Sequence, residues 1–363
     1  MLDFYNYLYV LFTFFTLLIL LDIIAIFNNK KLIYLLRYQN FFLFIFLGVY
    51  YILLATRDLG VGTDTDRYVS YYRQLYLFND LSLSSDIGFN FLNKILVTLK
   101  ISPEFYLFYL SLLFVIPIYF TFKSFKNINK VFLLWFFVSL FIFVSMSTNI
   151  LRQGIGGAFA MWGVSLFLNR ENNNKKFIYP LIVAPLFHLS LILVIGVFFV
   201  SKYFKNLKLL YIILFLCIVF SYSGFNLNNI LGDMPVIGAA FSDRMDVYLN
   251  TEISKYQIGF RLDFLLFNLF FIYVAHYIST LKFVKQYYPK YYQIQASFIV
   301  LTSYFILMFN VPYSDRFGIL SWIFIPFIMY PIFDLSTFKF NKLKLGVFVL
   351  GISLFIVYNV ISV

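Results

Sequence analysis

Residues 131–169 read VFLLWFFVSLFIFVSMSTNILRQGIGGAFAMWGVSLFLN, and a single charge, Arg152, interrupts them. Two apolar runs, 131–149 and 150–169, lie back to back in this stretch. Each is long enough to cross a hydrocarbon core of about 30 Å. Similar runs recur at 4–27, 38–56, 103–122, 209–223, 260–281, 291–310, 317–333 and 345–363, which brings the expected spans to ten. Across its 363 residues the chain is 62% apolar and only 12% charged, which argues against a water-soluble domain, a disordered chain or a soluble nucleic-acid binder. Cys217 stands alone, so no internal disulfide is available. The first run lacks a basic leader and a small-residue cleavage site, and reads as a retained helix.

Basic residues set the expected orientation. Lys and Arg crowd the short connections around residues 30–37, 123–130, 170–176, 202–208, 282–290 and 339–344, and the positive-inside rule puts all six on the cytoplasmic side. Segment 177–200 lies between two of these connections, and Pro180, Pro185 and His188 interrupt its apolar run. It is therefore expected to be a re-entrant or broken helical segment returning to its own side, which leaves both termini outward. The arrangement sorts the bases by type: 16 of 19 Lys fall inside, whereas seven of nine Arg fall outside. Orientation alone does not separate Arg from Lys. A planar guanidinium pairs with phosphate oxygens two at a time, so an outward Arg cluster points to an anionic ligand on that face.

The densest outward motif is Arg57-Asp58-Leu59-Gly60-Val61-Gly62-Thr63-Asp64-Thr65-Asp66-Arg67-Tyr68. Its glycines permit a tight turn and close approach to backbone amides. Tyr68, Tyr71, Tyr72 and Tyr76 follow at helical spacing, a face that could stack on sugar rings or form an interfacial belt. Ser84, Ser85 and Asp86 can cap a helix with Ile87, Phe91, Leu92, Ile95, Leu96 and Leu99 on one side and Asn90, Asn93 and Lys94 on the other, expected to lie in the outer interface. Arg152 opens a span about one turn below the surface, where a charge needs protein, water or an anion beside it. Arg244, Arg261 and Arg316 each sit near an Asp, in Ser242-Asp243-Arg244, Arg261-Leu262-Asp263 and Ser314-Asp315-Arg316. His188 falls at the tip of the interrupted segment, and His276 lies some 15 residues beyond Arg261, toward the other face.

Four of these motifs carry a family resemblance: Gly62 to Tyr68 (G-T-D-T-x-x-Y), Leu151 to Gly157 (opening L-R-Q-G), Phe187 to Ser190 (F-H-x-S), and Asp315-Arg316 before a late span. Together they resemble the EpsG/Wzy-type bacterial polysaccharide polymerases, over most of the chain. The resemblance implies a GT-C-like, all-α, polytopic protein of about ten spanning helices, with a re-entrant or broken segment and an outward interfacial helix. It is expected to form one transmembrane domain over 1–363 in the bacterial cytoplasmic membrane, with loops 57–102 and 224–258 forming the active face. The implied activity is metal-independent inverting glycosyl transfer, moving a growing glycan from undecaprenyl diphosphate to the next lipid-linked repeat unit. No cofactor is implied. Membrane lipid, a chain-length regulator and a flippase are the implied partners, and nucleic acid is not. Arg57, Arg67, Arg152, Arg261 and Arg316 are expected to bind the diphosphate, and Tyr68, Tyr71 and Tyr72 the sugars. Asp64, Asp66 and His188 are the candidates for catalytic base. Asp64-Thr65-Asp66 also spells D-x-D, a divalent-cation pattern that a ring of guanidinium groups would make unnecessary. The competing activities are glycan ligation, transfer from a lipid monophosphate sugar, and lipid-linked glycan transport.

Overall fold

The computed structural model describes residues 2–27, 38–78, 86–169, 175–204, 206–225 and 258–333. Ser84, Ser85, Arg170, Lys205, the triplet Ser242-Asp243-Arg244 with most of loop 224–258, and the run 345–363 lie outside the described residues. Helices make up the regular structure, and no strand is present among the described residues. Two compact units divide the chain, Met1–Ile192 with 329–363, and Leu193–Ile328.

The first unit contains α1 (Leu2–Phe27), α2 (Gln39–Ala55), α3 (Thr65–Phe78), α4 (Ile87–Thr98), α5 (Tyr106–Ser124), α6 (Lys130–Val138), α7 (Phe141–Thr148), α8 (Leu151–Leu168) and α9 (Ile178–Phe187). The second contains most of α10 (Leu191–Val200), then α11 (Leu207–Tyr222), α12 (Leu262–Thr280), α13 (Lys282–Tyr287), α14 (Tyr291–Leu307), α15 (Asp315–Trp322) and α16 (Ile325–Met329). The first nine expected runs are thus helical. Among the described residues, four helical stretches are long and apolar enough to cross a membrane, and α6 with α7 qualifies as a fifth only as a pair bent by 73°. These support several crossings.

The run expected at 131–149 is thus helical but broken at residues 139–140. No Pro or Gly marks the break. Ser139 Oγ instead donates to the carbonyl of Phe136 at 2.6 Å, and Leu140 is extended at φ −83°, ψ 137°. A serine turned back on its own helix competes with the backbone ladder and favours a break.

α8 is the centre of the first unit, packed between α5 and α9. Its small residues make this possible. A Cβ on Gly156 would lie 2.7 Å from the Ala184 carbonyl oxygen, and one on Gly163, a heptad later, 2.5 Å from the Leu181 side chain. Glycine lets α8 and α9 approach until backbone meets side chain, the contact that holds helices together where no water drives association. The expected interruption of segment 177–200 is present as a break between α9 and α10 at residues 188–190, leaving two helices of ten residues. Each is about 15 Å long, too short to cross alone.

α4 is built inside out. Ile87 and Phe91 are 71% and 65% exposed, while Asn90 and Asn93 are buried. Tyr106 Oη donates to Asn93 Oδ1 at 2.8 Å, so the polar side of the helix is spent inside the protein. An apolar outer face and a polar inner one suit a helix bordered by lipid.

Within each unit, Lys and Arg mark opposite ends of particular helices, although Lys94 and Lys100 share the Arg end of the first. In the first, Lys130 Nζ donates to the Lys123 carbonyl and to Asn40 Oδ1 at one end, and α2 runs from there to Arg57 at the other. In the second, α12 opens at Arg261 and Asp263 and ends before Lys282; α14 returns from Lys290, with Thr302 Oγ1 donating to Asn268 Oδ1 at 3.3 Å.

Candidate functional site

The end of the first unit opposite Lys123 and Lys130 brings together segments far apart in sequence. Gly62 sits in the left-handed region at φ +83°, and a Cβ there would fall 2.5 Å from the Thr148 carbonyl oxygen. Only glycine allows the 57–65 loop to lie so directly on the turn between α7 and α8. Around that contact, the Thr63 N–H donates to Asn149 Oδ1 at 3.2 Å and Thr65 Oγ1 donates to the Thr148 carbonyl at 3.3 Å. Gly154 seals the turn from below, since its Cβ would meet the Met146 carbonyl. The G-T-D-T loop and the L-R-Q-G helix opening are one structure.

Two arginines flank it. Arg57 is only 5% exposed. Its Nη1 donates to the Leu54 carbonyl at 2.6 Å and to Ser111 Oγ at 3.5 Å, and its Nε to Thr65 Oγ1 at 3.3 Å. Nη2 is buried without a hydrogen-bond partner, and no carboxylate among the described residues pairs with this side chain. Burial pulls its pKa down to about 10, partly offset by the Tyr50 and Tyr5 hydroxyls, so it keeps its charge at neutral pH. Arg57 therefore braces the loop from inside, tying the end of α2 to Thr65 and α5.

Arg152 is the more open of the two, with 33% of its side chain exposed. Nη1 donates to Asp86 Oδ2 at 2.6 Å and Nε to Tyr68 Oη at 3.0 Å, and the guanidinium stands 5.7 Å from the Tyr68 and Phe89 ring centres. Asp86 is 1% exposed, and its Oδ1 is buried without a hydrogen-bond partner. Sequence reasoning took Asp86 only as a helix cap. Its side chain makes no cap bond and is turned onto Arg152 instead.

Gly88 carries α4 onto the end of α9, where its Cβ would lie 2.9 Å from the Leu186 carbonyl oxygen. Asp86 is two residues before that contact and His188 two after it, so the F-H-x-S motif joins the same end of the unit. His188 Nδ1 lies 2.6 Å from Ser190 Oγ in the break after α9. If the ring donates to Ser190, Nε2 is left as an acceptor.

The remaining expected residues divide. Asp64 is half-buried, and Asp66 is exposed, with Ser70 Oγ donating to its Oδ1 at 3.4 Å. Arg67 is exposed on α3, and Tyr71 is half-buried. Tyr72 is not available to a sugar: its ring stacks on Tyr106 at 4.2 Å and 4°, and its hydroxyl donates to the Ile101 carbonyl at 2.8 Å. Tyr72→Phe is accordingly expected to lower thermal stability by about 1 kcal/mol, the net worth of one hydrogen bond, with product chain length unchanged.

In the second unit, Arg261 closes its fork locally. Nε and Nη2 donate to the two Asp263 oxygens at 3.0 and 2.6 Å, and the guanidinium lies 4.0 Å from the Phe264 ring centre. Arg316 stands 5.0 Å from the Tyr313 ring centre, beside a residue at φ +58°. Among the described residues, no group of three His, Cys, Asp or Glu side chains is placed to hold a metal ion.

One comparison with known proteins gives a match: the family model of the EpsG family matches residues 40–363. No curated protein and no solved structure matches the chain.

Proposed function

The chain belongs to the EpsG family, and from that premise we propose that it is a membrane polysaccharide polymerase of the outer face of the bacterial cytoplasmic membrane. In this reading it transfers a growing glycan from a polyprenyl diphosphate to a lipid-linked repeat unit. Family membership and the apolar helices support a membrane protein of polysaccharide synthesis. The observation that carries the finer reading is the union of the 57–65 loop with the α7–α8 turn, which sets one buried and one half-open guanidinium beside the same short stretch of backbone.

The chemistry follows from charge. An acceptor hydroxyl attacks the anomeric carbon, the bond from that carbon to the diphosphate oxygen breaks, and the leaving diphosphate gains negative charge. A guanidinium fixed before the reaction stabilises that charge without reorganising. Arg152 fits this task because Asp86, Tyr68 and Phe89 lock its orientation while 33% of its side chain stays exposed. Arg57, a buried cation with no carboxylate, raises the local positive potential at a cost that an anionic ligand would offset. Arg67 lies close by in sequence, and Arg261 and Arg316 remain candidates from the second unit. The hydroxyl proton passes to Asp64, Asp66 or His188, and Tyr68 and Tyr71 are the remaining sugar-facing candidates.

The test is the ladder of lipid-linked products. A chain lacking activity should leave single repeat units on the carrier, whereas loss of a ligase would leave finished polymer there. Purified protein should also extend lipid-diphosphate repeats in the presence of a chelator. Strict dependence on added divalent cation would reassign Asp64 and Asp66 to metal binding.

A further inference from the structure

The second unit carries a shallow, open cleft of about 490 Å³ lined by Asn206, Leu207, Lys208, Tyr211, His276 and Ser279. It opens between the start of α11 and the last turns of α12, at the end of the unit where Lys202, Lys208, Lys282, Lys285 and Lys290 gather. The acidic residues described in this unit, Asp263 and Asp315, begin α12 and α15, and Asp263 stands about 20 Å from His276 along its helix. A cleft with this surplus of cations attracts an anion.

The donors are held by a chain of hydrogen bonds. Gln295 Nε2 donates to Tyr211 Oη at 3.1 Å, and Tyr211 lies 3.1 Å from His276 Nδ1. With its oxygen accepting from Gln295, the Tyr211 proton goes to Nδ1, and the neutral imidazole carries its own proton on Nε2. The cleft is thus edged by an imidazole N–H and the Lys208 ammonium, while the Ser279 hydroxyl donates to the His276 carbonyl at 2.7 Å. Beyond the polar mouth, Lys208 is followed on its own helix face by exposed Ile212 and Phe215, and α12 exposes Tyr273 and Phe270. A cationic mouth continuous with apolar flanks matches an amphiphile better than a free anion.

We propose that this cleft binds the phosphate of an anionic phospholipid, with Lys208 and His276 on the phosphate oxygens and the acyl chains along Ile212, Phe215, Tyr273 and Phe270. The site is independent of the glycosyl-transfer reading.

Full-length protein would be reconstituted in nanodiscs of phosphatidylcholine alone or with phosphatidylglycerol, and thermal unfolding and lipid retention would be measured. Phosphatidylglycerol is expected to raise Tm and to be retained on native mass spectrometry. Lys208→Gln with His276→Asn should abolish both effects, while its Tm in phosphatidylcholine matches the parent. Lys208→Arg should keep them. If the double variant fails to fold, Lys208→Gln alone decides, since Lys208 is exposed and its side chain holds no other element. Equal Tm in the two lipids, or undiminished retention by the folded variant, overturns the proposal. Inorganic phosphate reproducing the whole Tm rise in phosphatidylcholine overturns the lipid assignment in favour of a soluble phosphate.

Discussion

Arg152→Lys is expected to leave the protein folded and at parental abundance while polymer falls by roughly two to three orders of magnitude, the range for loss of one preorganised charge-stabilising donor. Arg152 uses separate nitrogens for Asp86 and Tyr68, at 2.6 and 3.0 Å, and places its plane over Tyr68 and Phe89. Lys carries one nitrogen. It can keep the ion pair with Asp86, which protects folding, but it cannot hold Tyr68 at the same time and lacks the planar fork that suits phosphate oxygens. Asp86→Asn should give a milder defect, because the amide preserves shape and still accepts a hydrogen bond but no longer anchors the guanidinium by charge. Arg261→Lys provides the contrast: its fork is filled by Asp263, so substitution should alter polymer length far less. The readouts are the lipid-linked ladder and thermal unfolding of the purified variants. A normal ladder from a folded Arg152→Lys protein would remove the guanidinium from the mechanism.

Much of this end of the molecule was legible in the sequence, for identifiable reasons. Glycines at 62, 154 and 156 mark places where backbone meets backbone or side chain, and the structure puts a carbonyl oxygen against each. The placing of Lys130 and Arg57 at opposite ends of α2, and of Lys282 and Arg261 at opposite ends of α12, follows the order of the chain. Pairings across long stretches of chain were not legible. Asp86 and Arg152 are 66 residues apart, and at Asp86 only a cap could be read. Helical spacing grouped Tyr68, Tyr71 and Tyr72 on one side of α3, but spacing does not tell a ring open to a ligand from one stacked on a neighbour, as Tyr72 is on Tyr106. Arg57 illustrates the same gap: the sequence offered it as an anion-binding charge in an outward loop, but did not show that it is buried with bonds to the Leu54 carbonyl and the Thr65 and Ser111 hydroxyls. The bend at 139–140 had no Pro or Gly to announce it.

Gly62→Ala tests whether the loop and the α7–α8 turn act as one piece. At φ +83° a side chain costs about 1–2 kcal/mol in backbone strain alone. The added methyl would also press on the Thr148 carbonyl, 2.5 Å from oxygen and 2.8 Å from carbon, and neither backbone atom can swing aside as a side chain would. Overpacking of this kind typically costs about 1–3 kcal/mol, so the substitution is expected to destabilise the first unit by roughly 2–5 kcal/mol or to lift the loop off the turn. Lifting it breaks the bonds from Thr63 to Asn149 and from Thr65 to Thr148, and with Thr65 displaced, Arg57 loses one of its restraints. Polymer should therefore be lost in either case. Gly48→Ala is the matched control: Gly48 lies within α2, nothing stands within 4 Å of its Cβ position, and alanine suits a helix better than glycine. Its Tm and ladder should be unchanged or slightly improved. Should Gly62→Ala behave like Gly48→Ala in both measurements, the close approach of loop and turn would play no part in activity, and the two arginines would have to be treated as separate sites.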